Sequence, residues 1–171
     1  IPFEQLPQVV NPSNGFVVNA NNDPAGVTLD NEPLNQLRPG GGLYFLGYTF
    51  DLGTRAGRIT AALTERLDQG KVDRKDMQAI QADVTLLDAE VLAPYLVQAF
   101  DNAALATAPA PLKALAADPR VVEAVGRIRQ WDYTTPTGVQ SGYDASDVDG
   151  KLSPPGVGEV ERSIAATIYS V

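Results

Sequence analysis

The stretch DRKDMQAIQADVTLLDAEVLAPYL, residues 73–96, decides the fold class of this 171-residue chain. Met77, Ile80, Val84, Leu87 and Val91 recur three and four residues apart, which is the spacing of one helix face. Asp73 stands just ahead of the run, where a carboxylate can accept from the first free N–H groups of a helix. Pro94 is expected to break or kink the run, because proline lacks the N–H and crowds the preceding turn. Leu96, Val97 and Phe100 then continue beyond the break. The Met77/Ile80/Val84 stripe reads most economically as core.

Outward from this stretch the helical pattern repeats. On the N-terminal side, Ile59, Leu63 and Leu67 share a face and Gly70 can stop that helix. On the other side, the Ala/Pro-rich residues 103–111 read as a connector. Asp118-Pro119 follows as a cap and first-turn pair for a helix that uses Val121, Val122, Val125 and Ile128 and ends near Trp131-Asp132. Trp131 reads as a core residue. Residues 133–158 form a loop rich in Gly, Pro and Asp, and a further helix starts at Glu159.

The N-terminal part differs. Asn11-Pro12-Ser13-Asn14-Gly15 is a turn signal, and Gly15-Phe16-Val17-Val18-Asn19-Ala20 alternates like a short strand. One strand is not stable alone, so its partner sheet is expected outside this chain. Residues 23–51 are rich in Gly, Pro and Asn, and a loop of that length is usually functional or mobile. The fold class is therefore α+β and mostly helical in this segment. It divides into 1–52 (strand and long loop joining a sheet), 53–132 (helical region) and 133–171 (loop and last helix), one domain fragment in all.

Composition removes several function classes. Thirteen basic against twenty-one acidic residues give a net charge of −8, which argues against nucleic acid as a partner. No apolar run approaches the roughly 20 residues needed to cross a bilayer. The chain has no His and no Cys, so it offers no imidazole base, no Ser-His-Asp triad, no thiol nucleophile and no common zinc cluster. Gly40-Gly41-Gly42 lacks a following Lys-Ser/Thr and does not read as a phosphate cradle. Residue 1 is Ile, without a signal-peptide pattern, and Ile164, Ile168 and Val171 run at helical spacing to the last residue. The chain is expected to be part of something longer.

The run Asn19-Ala20-Asn21-Asn22-Asp23-Pro24 has two readings. By composition it is a turn before Asp-Pro. At a strand end, it could instead present an amide into a cleft, where the two N–H donors of Asn suit a developing oxyanion. Here the sequence NPSNGFVVNANNDP, residues 11–24, resembles the strand and N-x-N-N motif of the penicillin acylase family of N-terminal-nucleophile hydrolases. GTRAGRI, residues 53–59, is similar to that family's active-site arginine region. Residues 76–96 resemble its Gln-x-Asp helix, and Trp131-Asp132 its Trp-Asp after a helix. The four motifs lie in order, so the resemblance covers most of residues 1–132.

The resemblance implies an internal segment of the β chain and, in the complete enzyme, an αββα fold. It implies a precursor that cleaves itself, after which a new N-terminal Ser attacks an acyl amide or acylated lactone with its own α-amine as base. An unperturbed α-amine titrates at about 7.7–8.0 and suits that role. By the same likeness, Asn21 matches the oxyanion-hole asparagine and Arg55 the supporting arginine, with Arg58 as the competitor for the latter. The nucleophile is not in this chain, which should be inactive alone. No cofactor is required. A structural calcium is implied for the complete enzyme, with Asp23, Asp30 and Glu32 as candidates. Partners are the remaining β-chain segments, the α chain of the same precursor and a small-molecule amide, with neither nucleic acid nor membrane. The implied home is periplasmic or secreted.

Two other readings stand beside this one. The first is a stand-alone, non-catalytic helical binding or scaffolding module derived from the same family. The second is a calcium-dependent binding domain built on the aspartate-rich loop 144–150. Aligned on Gly150, that loop starts its ligand series at Ala145 and closes at Gly156 instead of Glu, so it reads as solvated.

Overall fold

A computed structural model describes residues 1–28, 30–136 and 156–171. The aspartate-rich loop 144–150 lies outside the described residues. Two compact units make up the chain, Ile1–Asp83 and Val84–Val171. Their division falls inside the stretch 53–132 that the sequence groups as one helical region.

The first unit starts with a 3-10 turn, Phe3–Gln5, and a long irregular segment, then closes with two helices, α1 (Thr54–Gln69) and α2 (Arg74–Gln81). Gly53 precedes α1 at φ 84 and Gly70 ends it at φ 141, positions where a side chain would strain the backbone. Leu63 is buried from the expected face. Asp73 caps α2 reciprocally: its carboxylate accepts from the amides of Lys75 (2.6 Å) and Asp76 (3.0 Å), and Asp76 accepts from the amide of Asp73 (3.0 Å). Met77 is 44% exposed and so is not the core residue its spacing implied. Among the described residues, those buried in this unit are Ala20, Val27 and Leu63.

The strand expected from Gly15 does not form: among the described residues there is no sheet, only isolated bridges such as Asn22 with Asp51. Its alternation survives in burial, with Phe16 and Val18 half-buried, Ala20 buried, and Val17 and Asn19 exposed. The side-chain period is strand-like, and what is missing is a neighbour for the backbone ladder.

The second unit holds α3 (Leu87–Ala103), α4 (Ala110–Ala116), α5 (Pro119–Arg129) and α6 (Glu159–Ser170). The helical run expected over residues 73–96 breaks at residues 82–86, and Pro94 sits inside α3. The cause is a backbone pairing made far along the chain. Leu86 donates to the carbonyl of Tyr133 (2.9 Å) and Thr135 donates to that of Val84 (2.9 Å), so these residues cannot also be helical. Pro94 is tolerated because it and Glu90, whose carbonyl loses its partner, both lie on the exposed side where water can serve that oxygen. The supposed connector contains α4, entered through Pro109 with Pro111 in its first turn. Asp118 caps α5 as expected, accepting from the amide of Arg120 at 2.9 Å.

Trp131 centres the core of this unit. Only 5% exposed, it packs with Ala89, Ala165 and Ala166, ringed by Leu86, Tyr133 and Tyr169. Its indole N–H donates to the carbonyl of Thr134 at 2.7 Å, which satisfies the one polar atom that burial would strand. Tyr133 and Tyr169 approach the ring with centroids 5.6 Å away in each case.

Candidate functional site

The turn at residues 19–23 is built by its own side chains. Asn19 Oδ1 accepts from the amide of Asn21 (3.0 Å), and Asn22 Oδ1 accepts from that of Ala20 (3.1 Å). These local bonds replace a ladder and bend the chain. Asn21 takes φ 62, a left-handed conformation that Asn tolerates better than most residues. Both of its backbone polar groups are engaged, since its carbonyl accepts from the amide of Asp51 at 2.8 Å. Asn21 is exposed, and among the described residues its side-chain amide makes no hydrogen bond.

Asp23 secures the next turn. Its carboxylate accepts from the amides of Ala25 (3.0 Å), Gly26 (3.0 Å) and Thr28 (2.7 Å) and from the Thr28 hydroxyl (2.8 Å). Partial burial pushes its pKa up, but the four donors outweigh burial and hold it below the ordinary carboxylate value. Each such bond nets about 0.5–1.5 kcal/mol, so the carboxylate anchors the loop that carries the fully buried Val27.

Arg55 lies in the first turn of α1, exposed over 60% of its side chain, with Nη1 3.3 Å from Asp51 Oδ2. Asp51 Oδ1 also accepts from the amide of Gly53 at 3.3 Å. Asp51 therefore joins the two expected site residues, touching the Asn21 backbone with its amide and Arg55 with its carboxylate. Sequence reasoning passed it over, although its spacing four residues before Arg55 was visible. As an exposed ion pair, Asp51 with Arg55 is worth about 0–1 kcal/mol, so its interest is geometric.

Arg58 is placed differently. Its Nε and Nη2 both donate to Asp83 Oδ2, at 2.9 and 2.5 Å, and its side chain is 30% exposed. The pair ties α1 to a residue two positions past the end of α2, and Asp83 is the aspartate of the Gln-x-Asp motif.

The remaining candidates do not converge. Asp30 accepts from the amide of Glu32 (3.0 Å) and from Asn35 Nδ2 (2.6 Å), and the latter bond leads in lowering its pKa. Glu32 accepts from the amide of Leu34 at 3.2 Å. With Asp23 these are turn-forming carboxylates, and among the described residues no three acidic side chains form a group that could hold a metal. No helix among the described residues is long and apolar enough to cross a membrane.

Compared with known families, the chain matches the penicillin amidase profile over residues 1–170. The chain belongs to the penicillin amidase family. The match runs through both units and through the Asn21, Arg55 and Trp131 regions alike, so it extends beyond the residues 1–132 that carry the resemblance by motif. It places this mostly helical segment in a family of N-terminal-nucleophile hydrolases. No curated protein and no solved structure compared with this penicillin amidase segment matches it.

Proposed function

We propose that this chain is part of an amidohydrolase that cleaves an acyl amide or an acylated lactone, with its N-terminal serine supplied by sequence other than these 171 residues. In this reading the precursor cleaves itself, the serine hydroxyl attacks the carbonyl, and the serine's α-amine takes up the proton. The absence of His and Cys from the chain fits a mechanism that needs neither. The side-chain N–H of Asn21 then holds the tetrahedral oxyanion, and Arg55 supports the asparagine or a substrate carboxylate. The family's secreted or periplasmic habit is part of the same proposal.

The observation that carries the reading is Asn21 itself. Its backbone is fixed on both sides in a left-handed turn while its amide projects unused among the described residues. Fixing the backbone beneath the donor limits where the amide can reach, which favours a group that must stand where charge develops. Arg55 is favoured over Arg58 because its guanidinium is the more exposed, whereas two Arg58 nitrogens are spent on Asp83.

Two measurements test the proposal. The intact mass and N-terminal sequence of each mature chain should reveal a chain that begins with Ser and runs through Asn21. In that processed protein, Asn21→Ala should cut turnover about 100- to 1,000-fold while self-cleavage continues. A folded, processed Asn21→Ala enzyme with near-wild-type turnover would sink the assignment. A mature product starting near Ile1 would favour the non-catalytic module instead.

A further inference from the structure

Asp51 makes three connections from one residue. Its amide donates to the Asn21 carbonyl at 2.8 Å, its Oδ1 accepts from Gly53 at 3.3 Å, and its Oδ2 meets Arg55 at 3.3 Å. The first connection reaches across to a distant segment, where Asn22 and Asp51 form a parallel bridge. The second and third fix the entry of α1, whose preceding Gly53 has no side chain with which to cap the helix. One residue thus sets where the left-handed Asn21 turn stands relative to the head of the helix that carries Arg55. The Asp51 side chain is also the more sheltered partner, 28% exposed against 60% for Arg55. The flexible arginine is therefore referenced to the fixed aspartate rather than the reverse.

We propose that Asp51 is the positioning residue of the site, holding Arg55 in register with Asn21 so that substrate meets both. This rests on the reading of Asn21 as the oxyanion donor. Asp51 touches no reacting atom in this role. Its backbone link to Asn21 survives any side-chain change, so a substitution releases Arg55 and the helix entry while leaving the asparagine turn in place. The expected signature is a modest loss of kcat more than of KM, because an exposed ion pair biases the placement of Arg55 by at most about 5-fold.

The experiment uses the complete, self-processed protein and a series of acyl p-nitroanilides of different chain length. Rates are measured for Asp51→Asn, Arg55→Ala, the double variant, and Asn21→Gly. Glycine keeps the positive-φ turn and removes only the amide. Asp51→Asn should lower kcat about 2- to 5-fold with KM little changed. The double variant should be no slower than Arg55→Ala alone, as expected of residues acting through one contact. Asp51→Glu, which retains an acceptor for Arg55, should recover part of the loss. Should Asp51→Asn fail to mature, Asp51→Ser, which can still accept from Gly53, takes its place under the same criteria. Wild-type kcat in the Asp51 variant, or losses that multiply in the double variant, would overturn the role of Asp51. An inactive Asn21→Gly beside an active Asp51→Asn confines the failure to Asp51. A fully active Asn21→Gly removes the oxyanion reading beneath it.

Discussion

The N-terminal and C-terminal units solve the problem of holding a chain in place by opposite means. In the N-terminal unit, long irregular stretches are fixed by polar side chains turned onto the backbone, with Asn19, Asn22, Asp23 and Asp51 each serving amides close by in the sequence. The C-terminal unit relies on helices packed around Trp131, and its polar bonds close what packing has already arranged. The contrast teaches where a family can vary. A turn held by its own hydrogen bonds can present an asparagine without a large core behind it, while an aromatic core fixes shape but offers little chemistry.

The contrast can be broken most forcefully at Trp131. Trp131→Ala should destabilise the C-terminal unit by about 3–5 kcal/mol, the range for removing a large aromatic from a core. Hydrogen exchange read by mass spectrometry on the full-length protein should then lose protection in α3, α5 and α6, while α1 and the Asp23 loop keep theirs. Equal loss in both units would mean that they do not hold themselves independently. A smaller effect is expected from Asp23→Ala, which strips an acceptor from four donors and should cost about 1–3 kcal/mol. Here the exchange should rise in residues 20–28 and leave the Trp131 surroundings unchanged; spread into the helices would blur the distinction.

The smallest effect is a pH response. Asp23 has a folded pKa below the unfolded carboxylate value of about 3.9, so its contribution is present above that value and lost as pH falls through the folded one. Asp132 behaves likewise: partial burial raises its pKa, but bonds from Thr134 and the charge of Arg162 outweigh burial and lower it. Tyr169 adds an opposite limit in the C-terminal unit. Burial first, then the Asp88 carboxylate, raises its pKa, so its contribution is full below the unfolded value of about 10 and is lost as pH rises above it. Limited proteolysis mapped by mass spectrometry below about pH 4 should therefore open the Asp23 loop in the wild type. In Asp23→Asn the loop should be looser from the start and respond less to acid. An acid response of the loop unchanged by Asp23→Asn would place its cause elsewhere.

Local signals in the sequence carried the helices well. Asp73 and Asp118 with Pro119 start helices where they should, Gly70 ends one, and Glu159 opens the last. What escaped was set at a distance. The break at residues 82–86 depends on partners at Tyr133 and Thr135, which no window of local periodicity contains. The strand failed for the complementary reason, since alternation specifies faces but cannot supply a neighbour. At the site, the asparagine turn was legible from Asn, Asp and Pro. The bond from Asp51 to Asn21 was not, because a backbone amide leaves no mark on the identity of either residue.

The setting of Trp131 constrains how this sequence can drift. Its indole sits against three alanines, Ala89, Ala165 and Ala166, drawn from α3 and α6. Each methyl is small because the ring is large, so none of the four positions is free to change size alone. Among descendants of this sequence, an exchange of the tryptophan for a smaller residue should be accompanied by enlargement of at least one alanine on the other elements. The four positions would then travel through evolution as a single inherited character.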